Sequence, residues 1–301
     1  MKKVIVTGAS GFVGKAVLEE LTSFNYEVCA LYNSKKETID GDNKKITWKK
    51  FNINDIESFE SLSKSYEVVI HLIGIISEIP KKNITHKNIV AEGTKKIIYG
   101  AEKNQSKKIV YVSAAGTREN ASSKYHRAKW EAEQAIQKSS LAWTIFRPSL
   151  IFPDKNIIKK SDNNFVANIV KQFTISPFIL LPGKGQSLCQ PLSVKDLSQA
   201  IVASIEDNDC RIIDAGGPSK KSYLQIFTEI KHRYLPWRPI IRCPLRIVNF
   251  IAKHFLEKLN PPPLTRDQLL MLNEDNLAEP LSKYSYFKKS KLTDWEEIIN
   301  K

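Results

Sequence analysis

Three glycines near the amino terminus have the spacing of a turn that can hold a diphosphate. Gly8, Gly11 and Gly14 follow a short apolar run, KKVIVTG, and precede a stretch with helical apolar spacing. In such a strand–turn–helix unit the first glycine permits a sharp turn, the second lets backbone N–H groups approach a pyrophosphate, and the third lets the helix pack closely. The loop residues predicted to contact a dinucleotide are Gly8, Ser10, Gly11, Phe12, Val13 and Gly14. The alternative is a plain strand–helix turn; a P-loop is excluded because the spacing is not GxxxxGK.

The end of the second apolar run bears on which dinucleotide is bound. A carboxylate there would hold the ribose hydroxyls of NAD(H), but the sequence continues as Tyr32-Asn33-Ser34-Lys35-Lys36. Lysine binds phosphate as a point charge and therefore suits a 2′-phosphate. We expect Asn33, Lys35 and Lys36 to contact the cofactor and NADP(H) to be favoured over NAD(H). The alternative is that Lys35 and Lys36 are ordinary surface lysines.

The ends of two further apolar runs are expected to complete the dinucleotide site. Ligands of parallel α/β sheets bind at the carboxyl ends of the strands. Asn52 and Ile53 follow the third run and are predicted to lie against the adenine ring. Leu72, Ile73 and Gly74 end the fourth run and are predicted to line the ribose and the pyrophosphate.

Tyr125 and Lys129 stand four residues apart in a stretch with helical spacing, which places both side chains on one helix face. A nearby ammonium is expected to lower the pKa of the phenol. Such a tyrosine can donate or accept the proton of a carbinol while a nicotinamide transfers hydride. The lysine is also expected to hydrogen-bond the nicotinamide ribose. The alternative is a half-buried tyrosine beside an exposed lysine.

The elements that must position these groups alternate between short apolar runs and amphipathic stretches. Nearly continuous apolar strands separated by helices are typical of a parallel sheet covered on both faces. The predicted fold is α/β: a doubly wound parallel sheet of the Rossmann type in residues 1–152, with a smaller, partly helical C-terminal part in residues 153–301 that interleaves with the sheet edge. The apolar segment LAWTIFRPSLIF at the end of the first part is predicted to be one strand, and residues 245–259 of the second part are predicted to form one helix.

Composition narrows the possible partners and compartments. The chain has 301 residues and a formal net charge of +14, which favours an anionic partner. Its four cysteines lie far apart, which predicts no disulfide scaffold and a reducing, cytoplasmic compartment, and the spacing of its histidines and cysteines predicts no metal site. No apolar run approaches the roughly 20 residues that span a bilayer. Aromatic residues do not alternate with the basic ones, so no nucleic-acid partner is expected.

With these motifs in order, residues 1–152 resemble the extended or atypical short-chain dehydrogenases/reductases, which are similar to NAD-dependent epimerases and dehydratases. The segments that carry the resemblance are VTGASGFVG, VIHLIG, VYVSAAG, the YxxxK pair and WTIFRPSLIF. Further along, LPGKGQSLCQPLSVKDLSQAI, IIDAGGP and PPPLTRDQLLMLNEDN resemble the branch that includes the nucleotide-binding accessory subunit of respiratory complex I and its bacterial relatives.

The resemblance implies roles for several residues. Tyr125 and Lys129 would be catalytic together with Ser113, and Pro148 and Leu150 would cover the nicotinamide. Catalytic relatives carry a serine or threonine deeper in the run after the fifth strand, where this chain has alanines, so the catalytic set is incomplete unless Ser113 or Thr117 substitutes. A missing hydrogen-bond donor at such a position costs orders of magnitude in rate.

Two functions follow from these features. One is a protein that binds NAD(P)(H) tightly as a structural ligand and associates with respiratory complex I or its assembly. The other is an active NADP-dependent oxidoreductase or epimerase that uses Tyr125 as general acid and base; a redox-sensing regulator is a third possibility. Residues 220–260 carry nine lysines and arginines against two glutamates. This region is predicted to meet complex I subunits or a membrane surface, which would place the protein at the inner face of an energy-transducing membrane, or else to pack its apolar face internally.

Overall fold

The computed structural model describes residues 1–34, 45–154, 164–174, 176–259, 262–284 and 291–299. Within them the strands, in chain order, are β1 Lys2–Thr7, β2 Tyr26–Tyr32, β3 Ile46–Lys50, β4 Val68–His71, β5 Lys108–Val112, β6 Ala142–Pro148, β7 Ile151–Phe152, β8 Ile179–Pro182, β9 Leu188–Cys189, β10 Leu192–Ser193, β11 Arg211–Ala215, β12 Lys221–Ser222 and β13 Ile240–Cys243.

The helices of the same residues are α1 Phe12–Leu21, α2 Ile56–Ser63, α3 Gly93–Lys103, α4 Lys124–Gln137, α5 Phe165–Thr174, α6 Val194–Ala203, α7 Tyr223–Tyr234, α8 Leu245–His254, α9 Arg266–Leu272 and α10 Trp295–Ile299. A π-helical segment, His86–Glu92, runs directly into α3. Short 3-10 helices occupy Pro80–Lys82, Ser204–Glu206, Leu256–Lys258 and Leu281–Lys283. No helix in these ranges is long and apolar enough to cross a bilayer.

The central sheet has the strand order β3–β2–β1–β4–β5–β6–β11, and every neighbouring pair is parallel. The order reverses beside β1, so the loops after β1 and β4 diverge and leave a crevice at the carboxyl edge. This confirms the predicted doubly wound fold.

Alternating side chains of the inner strands supply two hydrophobic layers. Val4 and Val6 of β1 pack with α1 and α6 on one face, while Ile5 packs with α3 and α4 on the other. All three side chains are fully buried. Burial on both faces explains why the inner strands read as continuous apolar runs.

The structure departs from the predicted elements in three places. The apolar segment LAWTIFRPSLIF is two strands: β6 ends at Pro148, and β7 pairs with β10 in a separate small sheet. Helix α8 ends at His254 and not at residue 259 as predicted. A 3-10 helix, Leu256–Lys258, follows it. Helices α9 and α10 were not predicted.

The domain boundary predicted at residue 152 remains a prediction. Elements on its C-terminal side contribute to the sheet and the core of the first half. Strand β11 extends the central sheet by pairing with β6. Helix α6 packs against α1 beneath the same sheet. A third cluster, built on α5, α7 and Trp295, forms the core of the C-terminal part.

Candidate functional site

The glycine turn after β1 is so tight that side chains would collide with its backbone. Gly8 has a φ of +70°, and its oxygen accepts the N–H of Gly11 at 2.9 Å. A Cβ on Gly14 would stand 2.3 Å from that same oxygen and 2.7 Å from the oxygen of Ala9. A Cβ on Gly8 would approach the backbone of Leu72 and Ile73 to 3.0 Å. The turn therefore requires glycine at both ends, as its sequence predicts.

The same turn leaves the amino end of α1 open to an anion. Gly11 is the N-cap residue, no side chain caps the helix, and its first turn carries no acidic residue. The first amides of a helix lack intrahelical partners and carry the positive end of its dipole. Ser10, Phe12 and Val13 are half-buried around this end. A cradle that a Cβ would fill, beside an uncapped helix end, fits a pyrophosphate.

A pocket of about 430 Å³ lies beside the carboxyl ends of β2 and β3. Asn33 and Asn52, both predicted cofactor contacts, lie in its wall. Lys50, which pairs with Tyr32 in the strand register, is exposed and lines the same pocket. Sequence reasoning missed Lys50, although its place at the end of β3 was a usable signal.

Three other residues predicted to contact the cofactor near this pocket are Lys35, Lys36 and Ile53. Lys35 and Lys36 lie outside the described residues. Ile53 turns inward instead of lining the pocket: its side chain is 7% exposed and packs so closely on Gly93 that a Cβ there would meet it at 2.6 Å. That Ile53 lies against the adenine ring remains a prediction.

Lys129 reaches from α4 to the carboxyl edge of the sheet. Its Nζ donates to the oxygen of Val112 at 2.7 Å and stands 4.6 Å from the ring centroid of Tyr111. A Cβ on Gly74 would lie 3.4 Å from the same Nζ, so Lys129 faces the end of β4. Burial lowers the pKa of Lys129 to about 7, although the carboxylate of Glu133 opposes that shift. The alternative of an exposed lysine is wrong, since Lys129 is buried.

Tyr125 is half-buried one helical turn before Lys129, and its acidity differs from the expectation. Burial raises the pKa of Tyr125 to about 12, whereas a neighbouring ammonium was expected to lower it. The two groups are close, with Nζ of Lys129 5.9 Å from the Tyr125 ring centroid. However, burial also favours the neutral form of Lys129, so its side chain stabilises a phenolate only weakly. At neutral pH the phenol is a proton donor.

Ser113 lies at the end of β5, where its predicted role remains untested. Its Oγ is 3.3 Å from the Oγ1 of Thr117, and both residues are buried. Its N–H donates to Phe146 on the neighbouring strand at 2.7 Å. The Pro148 oxygen accepts the N–H of Ala115 at 2.8 Å, so Pro148 stands beside the same strand end, and half-buried Leu150 follows. The residues predicted to lie near the nicotinamide, Ser113, Pro148 and Leu150, therefore lie at the same end of the sheet.

A carboxylate from the far end of the chain caps the helix that carries Tyr125. Asp267 of α9 accepts the backbone N–H of Lys124 at 2.7 Å and that of Tyr125 at 3.1 Å. The Oγ of Ser123 accepts the next amide, that of His126, at 3.1 Å. Asp267 also lies 3.8 Å from Nε2 of His86, whose ring meets Tyr125 edge-on. Asp267 was not predicted to be a site residue, although it lies in the segment PPPLTRDQ.

Beneath the site, His71 is a fully buried, neutral link between helix and sheet. Its Nδ1 is 2.7 Å from the Thr7 hydroxyl, and its Nε2 is 3.1 Å from that of Thr94. The Thr94 hydroxyl donates to the oxygen of Val90, so its own oxygen accepts, which assigns the proton to Nε2. Burial lowers the pKa of His71 to about 3.

Arg147 makes an ion pair with a buried carboxylate. Its guanidinium binds the fully buried carboxylate of Glu133 through two hydrogen bonds of 3.0 and 2.6 Å. Among the described residues, no cluster of three histidine, cysteine or acidic side chains could hold a metal ion.

Comparison with known proteins agrees with the geometry of this edge. Residues 8–169 match the family described as NAD(P)H-binding. NADH dehydrogenase [ubiquinone] 1 alpha subcomplex subunit 9 of Arabidopsis thaliana is 24% identical over 282 residues, which cover 90% of this chain and 68% of that protein. The NADH-ubiquinone oxidoreductase 40 kDa subunit of Neurospora crassa is 22% identical, covering 92% and 72%.

A solved structure extends the likeness of fold over the whole chain. UDP-N-acetylglucosamine 4-epimerase from Methanobrevibacter ruminantium M1, in complex with UDP-N-acetylmuramic acid, superimposes with a TM-score of 0.73. The match covers 98% of this chain and 94% of the epimerase at 16% identity.

Proposed function

The chain belongs to the NAD(P)H-binding family, and from this premise we propose that it holds one dinucleotide, NADP(H) rather than NAD(H), as a tightly bound structural ligand. The observation that carries the proposal is the glycine turn, whose backbone leaves no room for a Cβ at Gly14. The uncapped amino end of α1 would hold the pyrophosphate, and Lys129 would hold the nicotinamide ribose. When bound, the nicotinamide supplies hydride.

The catalytic side supports a structural rather than a turnover role for the ligand. Ser113 is buried beside Thr117, and the two positions after it are alanines with no hydrogen bond to offer a substrate carbonyl. Tyr125 is a neutral phenol at physiological pH because burial raises its pKa to about 12. A proton donor without a second positioned donor supports slow chemistry at most.

Preference for NADP(H) is supported by cations at the end of the second and third strands. Strand β2 ends without a carboxylate, and the pocket beside it contains the exposed ammonium of Lys50. Asp55, the pocket's carboxylate, accepts the N–H of Ser58 as the N-cap of α2. Lys35 and Lys36 follow in sequence and would add to the same positive field.

The proposed setting is the inner face of an energy-transducing membrane, in association with respiratory complex I or its assembly. Support comes from the names of the two complex I relatives and from the basic residues 220–260. Binding there would be peripheral, through surface contacts of the C-terminal part.

The dinucleotide proposal is tested by releasing and identifying the ligand. Purified protein is expected to retain NADPH through gel filtration and to release it on denaturation. Titration calorimetry of the stripped protein should then give tighter binding for NADPH than for NADH. Absence of heat with either nucleotide would refute the proposal.

The preference for the 2′-phosphate has a matched pair of variants on one strand. Lys50→Glu should weaken NADPH at least tenfold and leave NADH nearly unchanged, because one close charge pair contributes on the order of 1–2 kcal/mol. Lys49→Glu changes the neighbouring exposed lysine, which does not line the pocket, and should change neither affinity. The pair Lys35→Glu and Lys36→Glu should act like Lys50→Glu; equal loss of NADPH and NADH would contradict the preference.

A second candidate, an active reductase or epimerase, is favoured by a pocket of about 660 Å³ in the C-terminal part. Its wall contains Lys184, Arg242 and Arg246, which would suit an anionic substrate. It also contains Leu272 of α9, the helix that contacts the Tyr125 amide through Asp267. Steady-state oxidation of NADPH with a carbonyl panel, abolished by Tyr125→Phe, would establish this function instead.

A further inference from the structure

Helix α8 directs most of its large apolar side chains away from the protein. Its inner face contributes only Val248 and Ala252, which form a small cluster with Leu269. Ile247 and Phe250 are 51% and 59% exposed, and Ile251 is exposed on the same side. The spacing i, i+3, i+4 places these three side chains in one stripe on the outer face. The alternative that the apolar face packs internally therefore holds for Val248 and Ala252 but not for these three side chains.

The chain continues this exposed apolar surface past the end of the helix. Phe255 is 62% exposed and Leu259 is 55% exposed, directly after α8. Single exposed hydrophobic residues are ordinary, but a contiguous stripe marks an interaction surface. We call Ile247, Phe250, Ile251, Phe255 and Leu259 the outer stripe.

The charge around the outer stripe is almost entirely positive. Residues 231–259 contain seven lysines and arginines and one carboxylate, Glu257. The carboxylate of Glu257 forms an ion pair with the guanidinium of Arg266 at 3.1 Å. Arg246 and Lys253 are exposed, and helical spacing puts both on one flank of the stripe. In the described parts of the chain no carboxylate lies within ion-pair distance of either cation.

We propose that α8 docks on an anionic lipid bilayer, with the outer stripe at the acyl boundary and Arg246 and Lys253 among the headgroup phosphates. The proposal rests on the peripheral membrane setting given above and names the surface and lipid chemistry responsible. A helix with large exposed apolar side chains and flanking cations has the composition of an interfacial helix. A second copy is disfavoured because it would bring two strongly positive surfaces together.

Vesicle co-sedimentation of the full-length, NADPH-loaded protein tests the proposal. Wild type should bind phosphatidylcholine vesicles containing 30% phosphatidylglycerol and not pure phosphatidylcholine, and binding should fall as salt is raised. Phe250→Ser with Ile251→Ser should reduce the partition coefficient at least tenfold. Phe24→Ser, which removes an exposed aromatic side chain outside α8, should leave it unchanged.

The charge contribution has its own pair of variants. Arg246→Glu with Lys253→Glu should lower binding to anionic vesicles by at least about 20-fold, since each cation near such a surface contributes about 1 kcal/mol. Lys64→Glu with Lys138→Glu makes the same change in net charge at exposed positions on the dinucleotide-binding half and should have a much smaller effect.

Three results would overturn the proposal: no binding to anionic vesicles, equal binding to neutral vesicles, or wild-type binding by the stripe variant. A dimer in light scattering that the stripe variant converts to monomer would assign the surface to a second copy. Capture of a membrane-protein complex in detergent, without vesicle binding, would assign it to a protein partner. NADPH affinity measured on the same samples separates these failures from failure of the proposed dinucleotide function.

Discussion

Replacing Lys129 with methionine tests whether the site contains a buried, nearly neutral lysine. The pKa of this ammonium falls from 10.5 to about 7 in the folded protein because burial removes its hydration. The folded-state value lies below the unfolded-state value, so the unfolded chain binds more protons between about pH 7 and 10.5. Stability therefore rises with pH in that window, and Lys129 alone contributes an increase of about 2 kcal/mol between pH 7 and 9.

Urea unfolding followed by circular dichroism at pH 7, 8 and 9 measures this effect. The difference between wild type and Lys129→Met isolates it, because other titrating groups, such as buried Lys108, are present in both proteins. Methionine cannot donate to the Val112 oxygen, so the absolute stabilities differ, but only wild type should gain the pH-dependent part. Lys138→Met, at the exposed C-cap of the same helix, should follow wild type. A pH-independent difference between wild type and Lys129→Met would refute the reasoning.

Three further substitutions test other parts of the site. Gly14→Ala should weaken NADPH at least 100-fold in calorimetry, because the new Cβ would stand 2.3 Å from the Gly8 oxygen; unchanged affinity would contradict the cradle. Asp267→Asn should cost about 1 kcal/mol and lower the Tm by about 2–4 °C, since α4 loses its charged cap; the exposed Asp209→Asn serves as control, and equal Tm values would exclude the cap. Arg147→Met should cost about 3–5 kcal/mol in urea unfolding by leaving a buried carboxylate unpaired; an unchanged free energy of unfolding would contradict this pairing.

Local sequence was sufficient for the dinucleotide-binding edge. The positive φ of Gly8 and the contact of Gly14 with the Gly8 oxygen are local features, so their pattern is visible in the chain. The inner strands were equally clear, because burial on both faces demands continuous apolar runs. The i, i+4 relation of Tyr125 and Lys129 follows from helical geometry alone.

Long-range packing decided what surrounds those groups. Asp267 meets the amide of Tyr125 from 142 positions away, and no local pattern encodes that contact. The pKa values of Tyr125 and Lys129 depend on how deeply the fold buries each group, so proximity alone gave the wrong direction for the phenol. Periodicity identified α8 as amphipathic but could not say which face the protein would cover, because that depends on the small space left beside Leu269. The sequence thus determined the backbone that receives a dinucleotide, and the tertiary structure determined the charge states and surfaces around it, because solvation is a property of the assembled fold.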